Sequence, residues 1–202
     1  MTTFAQPDLF APVAPALPDG FRYQPDVITA DVQSDLLREI GLLPLKPFEF
    51  HGFEGRRRVI SYGWKYDFDT DQVSRVTDIP PFLLPVRRFA AAFVGIDPER
   101  LQQALVTEYA PGAPIGWHKD KKVFGRVVGV SLLSNCTFRL RRRADDKWER
   151  ASVTAEPGSA YLLSGPARDE WEHSIPPVEQ MRYSITFREI ADRHFSSHIS
   201  AS

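Results

Sequence analysis

Arg182-Tyr-Ser-Ile-Thr-Phe-Arg188 alternates polar and apolar residues without a break. With the strand period of two, Arg182, Ser184, Thr186 and Arg188 share one face, and Tyr183, Ile185 and Phe187 share the other. Two settings accommodate such a strand. One is a sheet edge with its arginines in water; the other is a barrel with a polar interior. In the second setting a guanidinium fork can take a dicarboxylate end-on in bidentate geometry, which lysine cannot match. Ser184 would add a hydroxyl to that clamp.

Upstream, from Ala104, six more β-like runs are punctuated by turn residues: ALVTEY, PIGWHKD, RVVGVSLL, CTFRLRRR, RASVTA and SAYLLSG. Together with the arginine strand they make seven runs at a spacing of about ten residues, which predicts a β-sandwich or barrel. Two helices precede them. Val32, Leu36, Leu37 and Ile40 fall at helical spacing behind a Thr29 cap, and Gly41 stops the helix. Paired prolines open a second helix over Pro80 to Gly95, with Leu83, Val86, Phe89, Ala90 and Phe93 on its apolar face. Between them, Phe48 to Asp69 is rich in Gly, Arg and aromatics and reads as a hairpin or loop insertion outside the core. The expected class is mainly β with flanking helices (α+β).

The chain's 202 residues suit one domain, residues 21–190, after a flexible Pro/Ala-rich leader at 1–20 and before a polar tail at 191–202. With 25 Lys+Arg against 26 Asp+Glu, the net charge of -1 gives no global attraction to a polyanion, so a nucleic-acid footprint would have to be a local patch. The single cysteine, Cys136, excludes an intrachain disulfide and a thiolate zinc site, and fits a reducing compartment. The leader lacks a basic n-region, and no stretch approaches the ~20 apolar residues of a membrane span. The expectation is a cytoplasmic monomer with no membrane partner. There is no internal repeat, GxGxxG or Walker-type loop.

His118-Lys119-Asp120 closes a β-like run, and on a strand residues i and i+2 face the same way, so an imidazole and a carboxylate would project together with Lys119 turned away. A surface pair, or an aspartate orienting a histidine, has the same spacing. An iron(II) oxygenase needs one more imidazole to complete a facial triad with open positions. Of the five histidines, His51 lies in the arginine-rich insertion, and His194 and His198 lie in the polar tail. That leaves His118 and His173 on strand-like stretches.

Tyr109-Ala-Pro-Gly-Ala113, His118-Lys-Asp120, Gly165-Pro-Ala-Arg168 leading to His173-Ser-Ile, and Arg182 to Arg188 follow one another in an order that resembles the AlkB family of iron(II)/2-oxoglutarate dioxygenases. The resemblance implies a double-stranded β-helix (jelly-roll) and a metal held by His118, Asp120 and His173. It implies that Tyr109 and Arg182 bind 2-oxoglutarate, Arg182 at the distal carboxylate, with Arg188 near the chelating end. Thr186 fits the family's RxNxTxR pattern. Thr107 and Ser184 stand where the family has asparagine, and both can still hydrogen-bond. Lys122 stands where DNA-repair members carry an acid.

The segment 48–69 resembles the family's nucleotide-recognition lid, with Tyr62, Trp64 and Tyr66 as stacking candidates and Arg57 and Arg58 near a phosphate backbone. The aromatics could equally pack a hairpin onto the core. Lys122 and Arg168 complete the candidate substrate contacts; Arg168 could instead bridge to the metal-side loop or cap a turn. Phe138-Arg-Leu-Arg-Arg-Arg143, with Lys119, Lys121, Lys122 and Arg126, could form a basic rim at the mouth or be solvated charge on strand ends. The implied reaction uses Fe(II), 2-oxoglutarate and O2 to dealkylate N-alkylated bases of DNA or RNA, releasing an aldehyde, succinate and CO2. The alternatives are the same chemistry on a protein lysine or small molecule, and a non-catalytic jelly-roll that binds a ligand.

Overall fold

The computed structural model describes residues 17–50 and 53–191. In chain order the elements are β1 (Phe21–Gln24), α1 (Ala30–Ile40), β2 (Lys46–Phe50), β3 (Phe53–Tyr62), β4 (Trp64–Asp67), β5 (Gln72–Arg75) and α2 (Leu84–Val94). Then follow β6 (Gln103–Tyr109), β7 (Ile115–His118), β8 (Phe124–Leu132), β9 (Cys136–Ala144), β10 (Lys147–Ala155), β11 (Ala160–Leu163), α3 (Gly165–Asp169), β12 (Glu172–Ile175) and β13 (Arg182–Ile190). A seven-stranded antiparallel sheet, ordered β1-β11-β8-β13-β6-β3-β2, faces a four-stranded one, β10-β9-β12-β7. This is the jelly-roll layering expected, with β4 and β5 forming a separate hairpin.

Strand alternation divides the large sheet into two unlike faces. Ile185 and Phe187 of β13, Val106 of β6, and Val128 and Val130 of β8 turn to one side and are 0 % exposed. They pack there with Leu36 and Ile40 of α1 and Val86 and Ala90 of α2. Side chains of this size each contribute about 1.5–3 kcal/mol when fully buried, so this layer anchors the fold. Thr29 caps α1 through its side chain, and Gly95 ends α2 in the left-handed region at φ 73°. The opposite face looks into the jelly-roll. There Phe21, Val127, Tyr161 and Leu163 meet Phe138 and Leu140 of the small sheet.

Three expectations need correction. The segment 48–69 is not an insertion outside the core: β3 pairs with β6 from Arg57↔Tyr109 to Tyr62↔Ala104 and is part of the large sheet. Its arginines obscured this: Arg57 joins the polar part of the inward face beside Tyr109, and Arg58 turns the other way to an ion pair with Glu108. Only β4 and β5 leave the sheet, after Gly63, whose φ of 73° suits glycine; a Cβ there would lie 2.0 Å from the carbonyl oxygen of Gln102. The expected strand through Asp120 stops at His118, and β12 is a strand of its own. The leader's end also belongs to the fold, since Ser164 N donates to Gly20 O at 3.0 Å and Ala167 N to Asp19 O at 2.9 Å. The remainder of the leader, His51, and the tail from residue 192, with His194 and His198, lie outside the described residues.

Candidate active site

β7 and β12 lie side by side with His118 and His173 in register, so both imidazoles point inward and their ring centroids are 4.2 Å apart. His118 Nδ1 is 2.9 Å from Gly116 O. A carbonyl can only accept, so Nδ1 carries a proton, and Nε2 is the nitrogen a metal would take. His173 is buried and stacked on Phe138 at 5.3 Å. Burial, followed by the neighbouring His118, pulls its pKa down to about 3, which leaves it neutral and able to donate electrons at neutral pH.

Asp120 arrives differently from the expected strand alternation: it sits two residues beyond the end of β7, in a loop. Its Oδ2 lies 3.6 Å from His173 Nε2, and its Oδ1 accepts a hydrogen bond from Arg188 Nε at 3.0 Å. Burial would raise this carboxyl, but Arg188, His173 and His118 together hold it below the usual carboxylate range. Lys119 turns outward and donates to Asp169 O at 3.0 Å. The three side chains adjoin without being drawn together: among the described residues no three His, Cys, Asp or Glu converge in ligating geometry. The donor chemistry nevertheless fits a metal. Two imidazoles and a carboxylate of depressed pKa meet, and 3.6 Å is near the ~3 Å between two donors at right angles around an ion about 2.1 Å from each.

Deeper in the same interior, Arg182 is 0 % exposed. One nitrogen, Nη2, donates to Ser131 Oγ at 3.2 Å, and the guanidinium lies 4.7 Å over the Tyr109 ring. Among the described residues, Nε and Nη1 are buried with no hydrogen-bond partner. A buried cation with two idle donors is costly, and a ligand carboxylate is the group that would satisfy both. Thr107, Ser184 and Thr186 line the same face, and the hydroxyls of Tyr109 and Ser184 lie 3.4 Å apart. Arg188 completes the strand, its Nη1 donating to Gln103 Oε1 at 3.0 Å. The inward face of β13 is therefore the polar interior and not a solvated edge.

The substrate candidates divide. Arg57 points inward, lies over Phe48 at 4.4 Å and stands in register with Tyr109 of β6. Arg58 points the other way and binds Glu108 at 3.1 Å and Leu45 O at 3.0 Å, so it braces the sheet and does not face the site. Tyr62 is 7 % exposed in the helix-side core, which removes it as a stacking platform. Trp64 and Tyr66 pack from the β4–β5 hairpin onto Val123, Phe124 and Ile190, beside the loop that follows Asp120. Lys121 sits 5.0 Å over the Tyr66 ring and 5.5 Å over Phe68. Lys122 is exposed on that loop.

Arg168 is a brace: its Nη2 donates to the carbonyls of Lys121 at 2.6 Å and Phe124 at 2.9 Å, tying α3 to the metal-side loop. Sequence reasoning missed Ser131 and Tyr161. Ser131 interrupts an apolar run opposite Ser184, which was a readable signal. Tyr161 depended on Gly129, where a Cβ would lie 2.2 Å from the tyrosine ring; only a cross-strand view shows that the glycine makes room for it. Burial keeps the Tyr161 hydroxyl protonated, well above its ordinary pKa.

A family model described as the 2OG-Fe(II) oxygenase superfamily matches residues 22–188. Among curated proteins, the chain is similar to an alkylated DNA repair protein ALKBH8 homolog of Arabidopsis thaliana, 28% identical over 145 residues. That match covers 60% of this chain and 42% of the other, so the chain spans less than half the length of that relative. It is also similar to the mitochondrial alpha-ketoglutarate-dependent dioxygenase alkB homolog 7 of Bos taurus, 30% identical over 171 residues covering 82% of this chain and 71% of that one. Among solved structures, that of OsALKBH1 aligns with a TM-score of 0.61 over 86% of this chain and 98% of the other at 17% identity, which bears on the fold alone.

Proposed function

Since the chain belongs to the 2OG-Fe(II) oxygenase superfamily and has AlkB-like relatives, we propose that it is a 2-oxoglutarate-dependent dioxygenase that oxidatively dealkylates N-alkylated bases in DNA or RNA. The observation that carries this reading is Arg182, a fully buried guanidinium with Nε and Nη1 idle, in the same interior as His118, Asp120 and His173.

His118 Nε2, His173 Nε2 and Asp120 Oδ2 would hold the iron, and Arg182 would take the distal carboxylate of 2-oxoglutarate with Tyr109 and Ser184 beside it. When bound, iron(II) with 2-oxoglutarate and O2 supplies the oxidising equivalent that hydroxylates an N-alkyl carbon, with succinate and CO2 released and the alkyl group lost as an aldehyde. The chain's own contribution is placement. Arg188 fixes the Asp120 carboxylate through Oδ1, and the Gly116 carbonyl fixes the His118 tautomer. Phe138, Leu140 and Tyr161 exclude water from the interior. No group here needs to act as a general acid or base.

Support for a nucleic-acid substrate comes from the loop after Asp120, where Lys121, ion-paired with Asp71 at 3.1 Å, lies over Tyr66 and Phe68 and the exposed Lys122 follows it, so that aromatic rings and cationic side chains adjoin. The name of the Arabidopsis relative points the same way. The test is succinate formation by the iron-loaded protein with methylated single-stranded DNA, methylated RNA or methyl-lysine peptides. Turnover stimulated by a methylated nucleic acid is expected; stimulation by the peptide alone would move the substrate to protein. No iron-dependent succinate in any mixture would sink the enzyme reading.

A further inference from the structure

The arginine run 139–143 does not ring the mouth as a loose rim. Alternation on β9 sends Cys136, Phe138 and Leu140 into the jelly-roll and Arg139, Arg141 and Arg143 onto the outer face of the small sheet. There they interleave with two tryptophans. Arg139 lies 5.0 Å over Trp117, Arg141 lies 4.3 Å over Trp117 and 4.4 Å over Trp148, and Arg143 lies 5.9 Å over Trp148. The result is one ladder of five planes, Arg139-Trp117-Arg141-Trp148-Arg143, crossing β7, β9 and β10. Arg150 flanks it, in register with Arg141.

A guanidinium held over an indole face has five N–H donors; Arg139, Arg141 and Arg143 each use Nε, on Ser174, Glu172 and the Asp145 carbonyl respectively, and their terminal nitrogens are the groups a phosphate would meet. Among the described residues the acids touching the ladder are Glu172, 2.6 Å from Arg141, and Asp146, 3.8 Å from Arg143, against four arginines. This local excess stands on a chain whose net charge is -1. Trp148 is 37% exposed, and among the described residues the helices α1 and α2 pack on the other sheet. The ladder also adjoins the site: Trp117 precedes His118 on β7 and Glu172 precedes His173 on β12, each pair facing opposite sides of the same sheet.

We propose that this outer face of the small sheet is a second, non-catalytic docking surface for the phosphate backbone of a single-stranded nucleic acid whose modified base enters the interior. The proposal rests on the substrate reading above. In-plane guanidinium edges bind phosphates, exposed indole stacks with bases, and neither needs a particular sequence. Binding on this face holds a long strand without occupying the pocket.

The experiment measures binding of a labelled, unmethylated single strand of about 15 nucleotides to the full chain by fluorescence anisotropy over a range of salt, for the wild type and the R139Q/R150Q variant. Both arginines are outside the core, and an unchanged melting temperature verifies the variant's fold. The expected result is about tenfold weaker binding by the variant, with the slope of log K against log salt smaller by about 1.4, corresponding to two phosphate contacts on a single strand. Wild-type affinity and slope in the variant would overturn the surface while leaving the substrate reading standing. Equal displacement of the strand by poly-glutamate of matched charge would also overturn it, pointing to an acidic peptide. A wild-type protein that binds no strand but turns over a methyl-lysine peptide would remove the substrate reading and this surface with it.

Discussion

The two faces of the seven-stranded sheet are made by the same strands, often by adjacent residues, yet they follow opposite rules. Phe187 faces the helices, and its neighbours Thr186 and Arg188 face the interior. The helix side is apolar and closely packed, and it holds the fold together. The interior side keeps a buried arginine with two idle nitrogens and looks across to His173 of the four-stranded sheet, a buried histidine whose protonation is suppressed. Stability is gathered on one face and given up on the other, as expected where a binding site must stay unsatisfied until its ligand arrives.

The contrast can be broken by substitution. His118→Ala, on the inward side, should abolish iron-dependent succinate production while the melting temperature stays near that of the wild type; residual turnover would remove His118 from the metal site. Phe187→Ala, one face away, should cost about 3–5 kcal/mol in denaturant unfolding because it leaves a cavity in the helix-side core. The KM for 2-oxoglutarate of the still-folded protein should be unchanged. Arg182→Met reverses that pair of outcomes. It should raise the KM for 2-oxoglutarate at least about tenfold while leaving stability equal or higher, because a buried unpaired charge is removed. Clear destabilisation by Arg182→Met would mean that the guanidinium is structural.

Two smaller effects sharpen the same distinction. In the metal-free protein the folded-state pKa of His173 is depressed to about 3 from an ordinary 6.5, so between those values the unfolded chain binds more protons. Stability should therefore be flat above pH 6.5 and fall as the pH drops towards 3, and His173→Gln should flatten that slope in urea titrations across the range. The smallest effect belongs to Arg58→Ala. The Arg58–Glu108 pair leaves Arg58 half exposed, so its loss should cost no more than about 1 kcal/mol and leave KM values untouched. A large KM change would return Arg58 to the substrate contacts.

What was legible in the sequence follows the same division. The period-two pattern of Arg182 to Arg188 is local, and it announced both faces before any partner strand was known. The helices were legible because Thr29 and Gly95 sit at their ends. β3 was not, since Arg56, Arg57 and Arg58 in succession look like a solvated loop until β6 is placed beside them. The candidate site was readable where it depends on residue type: His118, Asp120, His173 and Arg182, singled out by type and spacing, all lie in the one interior. It was unreadable where it depends on which way a side chain turns: Tyr62 and Arg58 belong to the outward set of β3, and a shift of one residue would have put them inside. Ser131 and the Gly129–Tyr161 contact needed the cross-strand register.

The hydrogen bond from Arg188 to Asp120 also bears on which ions can compete for the site. With Oδ1 engaged by the guanidinium, Asp120 offers Oδ2 more readily than Oδ1, which favours one-oxygen over bidentate ligation. Calcium prefers about six to eight oxygens and often takes both from one carboxylate. A site restricted to two imidazole nitrogens and one carboxylate oxygen suits a nitrogen-tolerant transition metal. If the proposed metal binds there, Arg188 would bias the site against hard, oxygen-seeking cations.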